Sequence, residues 1–260
     1  MTILGILASG ISGHLAPLSP VAGYTAWYDA SDTATISDTS NAVTQWNDKS
    51  ANGYNLTQST STRRPGTNIN TLNSKNVITF TGDDYLDAAT ASNWTFLSNS
   101  NGSTVFVALF CDTAASAGFF LDTNGSSSAN VGTSINRIAN DNLSMFVGRG
   151  VGGTYVIEYN PGALTDNAAS YFSIKLDPAN ATAAQRAIVK INGGSNLTGN
   201  PETGAASSSA PFRPLRVGAL GDDGSAGFVG KMAEILIYNS MLSDANIILN
   251  NSYLANKWGI

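Results

Sequence analysis

From residue 24 onward the apolar positions come in short runs broken by Gly, Asn, Asp and Pro. The runs are rich in Val, Ile, Phe and Tyr. They predict strands at Thr25–Tyr28, Val43–Trp46, Val77–Thr81, Thr104–Phe110, Gly118–Leu121 and Leu143–Val147. Further strands are predicted at Thr154–Tyr159, Tyr171–Leu176, Ala187–Ile191, Leu215–Val217 and Lys231–Tyr238. Many short strands separated by turn signals read as an all-β sandwich or barrel. In Thr104–Phe110 both alternating sets, Val105, Val107 and Leu109 against Phe106, Ala108 and Phe110, are apolar. Such a strand is covered on both faces or lies at the centre of a sheet.

The pattern changes period once, near the C-terminus. Ser243 is a good N-cap and Asp244 suits the first turn of a helix. Ile247, Leu254 and Trp258 then share one helical face, with Leu249 and Tyr253 beside them, and Gly259 can end the helix. Residues 192–213 have the composition of a long loop.

Residues 1–23 stand apart from the rest. They contain no Asp, Glu, Lys or Arg, so the positive start of a secretory signal is missing, and Gly5, Gly10 and Gly13 break the apolar run. The segment reads either as a first strand of its own domain or as an arm that packs on a neighbour. In the second case Ile3, Leu4, Ile6, Leu7, Ile11 and Leu15 are the anchoring side chains. The expected organisation is this arm followed by one domain over 24–260.

Composition narrows the chemistry. Of 260 residues, 12% are charged and the net charge is −5, against about 25% charged in an ordinary soluble domain. The basic footprint needed for nucleic acid is absent, and no apolar run is long enough to span a membrane as a helix. One Cys excludes an internal disulfide, and one His excludes a site needing two imidazoles.

Several segments together resemble the concanavalin A-like, laminin-G-like jelly rolls. At the end of the chain these are LRVG (215–218), GFVGKMAEILIYN (227–239), LS (242–243), YL (253–254) and KWGI (257–260). Upstream they are WYDASD (27–32), VTQWNDKS (43–50), NL (55–56), RP (64–65), FTGDDYL (80–86) and VKING (189–193). The resemblance covers residues 24 to 260 and implies a sandwich of two antiparallel sheets. The opening pattern is similar to that of bacteriophage structural proteins and bacterial surface proteins, and the uncharged start is similar in character to N-terminal segments of phage virion proteins.

Candidate chemistry is sparse. Glycoside hydrolysis needs two carboxylates at a defined separation. The three Glu, namely Glu158, Glu202 and Glu234, do not form the Glu-x-Asp-x-x-Glu pattern of the glucanases of this fold. His14 has no carboxylate near it in sequence, and Cys111 has no preceding cation to lower its pKa. No cofactor is expected. No metal site is expected either; the metal this fold class would admit is Ca2+, for which the acidic pairs are Asp83-Asp84 and Asp222-Asp223, with Asp222 and Asp223 kept as the candidates because Asp83-Asp84 falls where the family has a structural turn. Sugar binding would use Trp46, Trp94, Tyr155 or Tyr159, although aromatic residues in strands are more often core.

The expectation that follows is a non-enzymatic virion structural protein. It decorates a capsid or forms a fibre or tail attachment, is anchored through its arm, and meets other virion proteins and copies of itself, as a homotrimer. Such a protein is made in the host cytoplasm and sits on the virion surface. The alternative is a carbohydrate-binding adhesin that touches host-surface glycans, and the lesser alternative is an atypical glycan-degrading enzyme.

Overall fold

The computed structural model describes residues 19–112, 118–138, 141–152, 154–220 and 224–260. The anchor candidates Ile3, Leu4, Ile6, Leu7, Ile11 and Leu15 lie outside the described residues, as do His14, Asp222 and Asp223. The first strands are β1 (Ala26–Asp29), β2 (Ile36–Thr39), β3 (Ala42–Trp46), β4 (Leu56–Thr57), β5 (Thr71–Leu72), β6 (Lys75–Asn76), β7 (Ile78–Thr81) and β8 (Leu86–Asp87). They are followed by β9 (Ser103–Cys111), β10 (Gly118–Asp122), β11 (Val131–Arg137), β12 (Asn142–Arg149), β13 (Tyr155–Ala163), β14 (Ala168–Leu176) and β15 (Ala187–Ile191). Last come β16 (Arg216–Val217), β17 (Val229–Tyr238) and the helix α1 (Asp244–Trp258).

Three layers result. One sheet has the order β1-β17-β9-β14-β15, with β7 also paired to β17. The other runs β13-β12-β11-β10-β16-β8-β4-β3-β2. Strand pairing within both is antiparallel. Between them Val105, Val107, Leu109, Phe172 and Ile235 from the first sheet meet Trp46, Leu56, Leu121, Met145 and Val217 from the second. The helix forms the third layer. Ile247, Tyr253, Leu254 and Trp258 pack on Phe106, Ala108, Leu236 and Tyr238, on the far side of the first sheet. This explains why β9 is apolar on both faces: one set faces the inter-sheet core, and of the other Phe106 and Ala108 lie under α1 while Phe110 is covered by Lys231.

Local chemistry ends the helix where expected. The Ser243 hydroxyl accepts from Asn246 N, and Gly259 adopts φ 70°, a left-handed conformation that glycine takes without a side-chain clash. Leu249 is a correction. It points to solvent with Ile248, while Asn250 and Asn251 turn inward. Asn250 accepts from Val21 N at 2.8 Å and donates to the Tyr238 hydroxyl at 3.0 Å, which in turn donates to Val21 O at 2.6 Å. The chain therefore enters the domain beside α1.

Several of the segments behind the family resemblance, WYDASD, VTQWNDKS, KMAE, YL and KWGI, converge on one buried polar cluster. A register shift between Met232 and Glu234, opposite Leu109 and Ala108, turns Glu234 toward the helix. Its carboxylate accepts from Trp27 Nε1 (2.7 Å), Tyr253 Oη (2.8 Å) and Trp258 Nε1 (2.8 Å). Lys257 Nζ lies 2.8 Å from Glu234 and 2.7 Å from Asp29, and Lys49 joins Asp29 (3.0 Å) to Asp32 (2.8 Å). Burial pushes the Glu234 carboxyl above its ordinary range, against the pull of Lys257 and Trp258. Burial would also raise Asp29, but Lys257, Ser31 and Lys49 outweigh it and hold Asp29 below its ordinary range. The cluster clamps the first strand, the last strand and the helix together.

Candidate functional site

Alternation decides which residues the second sheet shows to the outside. Trp46 opposite Leu56, Leu86 opposite Val217 and Leu121 opposite Ile135 face the core. The intervening residues therefore face outward. Following the register, Gln45 stands opposite Thr57, Thr57 opposite Asp87, Asp87 opposite Arg216, and Arg216 opposite Asp122. The row continues through Ser134 to Phe146 and Glu158. One stripe, polar except at Phe146, thus crosses the outward face.

Along this stripe the middle is closed and one end is open. Asp122 is fully buried. It accepts from Ser134 Oγ and from the backbone N–H groups of Asn124 and Gly125, and Arg213 Nε lies 3.5 Å away. Burial pushes its carboxyl up despite these partners. Toward β3, β4 and β8 the face opens into two clefts of 460 Å³ and 410 Å³ that meet at Thr57. The first is walled by Thr44, Gln58, Thr60, Arg64, Tyr85 and Asp87, the second by Gln45, Asn52, Tyr54, Asn55, Thr90 and Asn93. Of the residues lining the two, Arg64 and Asp87 are the charged ones, and they have opposite signs.

The acceptor in this groove is held rigidly. Arg216 Nε and Nη2 each donate to one oxygen of Asp87 at 2.7 Å, a bidentate fork. The guanidinium carbon sits 4.0 Å from the centre of the Tyr85 ring. The Arg216 side chain is 6% exposed and that of Asp87 is 35% exposed, so the fork is covered from behind and its carboxylate edge is open. Gln58 holds the adjacent wall through Nε2 to Tyr85 O at 3.0 Å, and Arg64 braces it through Gln58 O (3.0 Å) and Ser59 O (2.9 Å). Hydroxyls, amides and one fixed carboxylate make a surface suited to exchanging hydrogen bonds with a polyhydroxylated ligand.

The sequence-level candidates fare unevenly. Trp46 and Trp94 are fully buried in the core and offer no platform. Tyr159 packs against the same core from β13. Tyr155 is half-buried and stacks on Phe146 with centroids 5.6 Å apart, at the far end of the outward stripe. Asp83 and Asp84 build a turn. Asp84 accepts from Thr81 N (2.8 Å) and Oγ1 (2.7 Å), and Asp83 pairs with Arg63 at 3.2 Å. Glu158 and Glu202 are tied through their backbone N–H groups to Asn200 Oδ1, while Glu234 lies in a different layer under α1. Among the described residues no group of three or more His, Cys, Asp or Glu converges as a metal site. Cys111 is buried in the core, and burial pushes its thiol up to about 12.

The groove residues carried little signal in the sequence. Asp87 and Arg216 are single polar residues beside Leu86 and between Leu215 and Val217, in strands of two residues each. Their outward direction could be read only with those strands assigned, and β4, β8 and the polar strand β11 were not.

No family model matches the chain, and no curated protein matches it. Solved structures do. Domain 4 of a GH43 extracellular arabinanase from Geobacillus stearothermophilus, in complex with arabinotriose, is similar over 88% of this chain and 98% of its own, at 13% identity and TM-score 0.56. A Trypanosoma rangeli sialidase in complex with 2,3-difluorosialic acid is similar over 97% of this chain at 12% identity and TM-score 0.55. The CBM40 of Ruminococcus gnavus IT-sialidase, bound to α2,3-sialyllactose, covers 66% of this chain and 94% of its own, at 14% identity and TM-score 0.51. The chain folds as a concanavalin A-like jelly-roll sandwich. This sandwich spans about a third of the length of the sialidase chain, 36%, and the likeness concerns the fold.

Proposed function

We propose that the sandwich is a carbohydrate-binding module whose binding surface is the groove around Thr57 and Asp87. The observation that carries this reading is the rigid Asp87–Arg216 fork, open at the carboxylate edge and set among hydroxyl and amide side chains, with Arg64 on one wall. Such a groove trades hydrogen bonds with water for hydrogen bonds with sugar hydroxyls without stripping water from an unpaired ion. The fold comparisons support it, since two structures sharing the fold hold arabinotriose and sialyllactose.

The test is obstruction. Thr57 is exposed where the two clefts meet, so Thr57→Trp should fill the groove and leave the core intact. Wild-type protein is expected to bind members of a glycan array, and Thr57→Trp is expected to lose that binding at least tenfold with an unchanged melting temperature. Equal binding by the two proteins would move the site elsewhere.

A particle-attached form of the same module has one observation in its favour. Val21 is pinned between Asn250 and Tyr238, on the helix-covered side of the sandwich and away from the groove. An anchor leading from there would leave the groove facing outward. A chain lacking residues 2–18 is then expected to fold and bind glycans normally but to fail to incorporate into virus particles. Full-occupancy incorporation of the truncated chain would end the anchoring reading.

A further inference from the structure

The charge and geometry of the groove narrow its ligand, on the premise that the groove binds carbohydrate. A carboxylate has about four lone-pair sites, and the Arg216 fork takes one on each Asp87 oxygen. The remaining sites lie on two adjacent oxygens that cannot rotate, because the guanidinium behind them is buried and stacked on Tyr85. Two fixed neighbouring acceptors match two neighbouring O–H donors.

An acidic sugar gains little at Asp87. Its carboxylate would approach Asp87, and the guanidinium of Arg216 already neutralises that group. The cation on the cleft wall, Arg64, spends Nε and Nη2 on the carbonyls of Gln58 and Ser59. Nor do the tyrosines of the groove offer a free stacking face. Arg216 covers Tyr85, and Tyr54 packs on Trp94 with centroids 5.3 Å apart. Recognition therefore falls to directed hydrogen bonds. We infer that the groove selects a neutral sugar, held by a pair of adjacent hydroxyls that both donate to Asp87.

The experiment is an NMR titration of the full chain with methyl glycosides of glucose, galactose and arabinose, and with the corresponding glucuronide and galacturonide. Arabinotriose and sialyllactose complete the panel. The tightest neutral glycoside is then compared with its monodeoxy series. Hydrogen bonds to a charged group are strong enough that losing one weakens binding about tenfold or more. The expected result is that a neutral glycoside shifts resonances around Thr57 and Asp87, that each uronide binds at least tenfold more weakly than its neutral counterpart, and that two adjacent deoxy positions each weaken binding about tenfold. A uronide that binds as tightly as its neutral counterpart, or a deoxy series without an adjacent sensitive pair, overturns this inference and leaves the groove reading standing. No shift at the groove with any sugar of the panel overturns both. The deoxy series alters the ligand and leaves the protein intact, which matters because Asp87→Asn would also unpair the buried Arg216.

Discussion

Lys257→Met should remove about 3–5 kcal/mol of stability, read as a lowered urea midpoint at neutral pH. Lys257 is the cation shared by Glu234 and Asp29, at 2.8 Å and 2.7 Å. Without it both carboxylates stay buried, with Lys49 as the remaining cation of the cluster, paired with Asp29 and Asp32 rather than with Glu234. Removing one partner of a buried pair is costly because the other is stranded, even where the intact pair adds little. Against a total stability of about 5–15 kcal/mol the loss is large.

The pH dependence carries a sign. Asp29 in the wild type is held below its ordinary range, so its contribution is present above that range and is lost as pH falls through the lowered value. In Lys257→Met the main pull on Asp29 is gone and burial dominates both carboxyls. Protonating them then relieves the stranded charge, so the gap between variant and wild type should narrow as pH falls through the raised values of the two carboxyls toward the ordinary carboxylate range. A loss below about 1 kcal/mol, or a gap that widens in acid, would mean that the cluster is not the clamp described.

Arg216→Ala should weaken glycan binding by well over tenfold and cost about 2–3 kcal/mol of stability. The side chain does three things at once: it forks onto Asp87, stacks on Tyr85, and closes the space behind the groove. Truncation frees the Asp87 carboxylate to rotate toward water, so it stops presenting two fixed acceptors. The stability cost stays below that of Lys257→Met because Asp87 is 35% exposed and can be rehydrated. Arg216→Lys keeps the charge but cannot make a planar fork. It should restore most of the stability and little of the binding, a split that a purely structural role would not produce. Calorimetric titration beside urea unfolding reads both quantities.

How far the sequence could be read depends on burial. β9, β14 and β17 were legible because both of their faces are covered, and each carries an apolar majority. β11 was not, although it pairs along its whole length with β12 and over its second half with β10. Its outward residues Ser134 and Asn136 are polar, and Gly132 and Thr133 weaken the pattern further, leaving Ile135 as the clear inward signal. The helix was legible from its cap and its period. Leu249 was misplaced because hydropathy favours burying leucine, whereas Asn250 and Asn251 turn inward to hydrogen-bond Tyr238 and Ser173.

The same division separates fold from site. The WYDASD, KMAE and KWGI segments proved to be ligands of one structural cluster, so the resemblance they carry speaks for the sandwich. The groove depends on Gln45, Thr57, Asp87 and Arg216, whose separation along the chain reaches 171 residues and which only strand register brings side by side.

Short apolar runs and a capped helix were enough to determine an all-β sandwich or barrel with one C-terminal helix, because burial imposes a period on the sequence, and the family resemblance narrowed this to a sandwich. Which polar residues share the outward face, and that Asp87 meets Arg216 over Tyr85, was decided by tertiary structure alone. Outward positions obey no hydrophobic period, and their neighbours are set by pairing between strands distant in the chain.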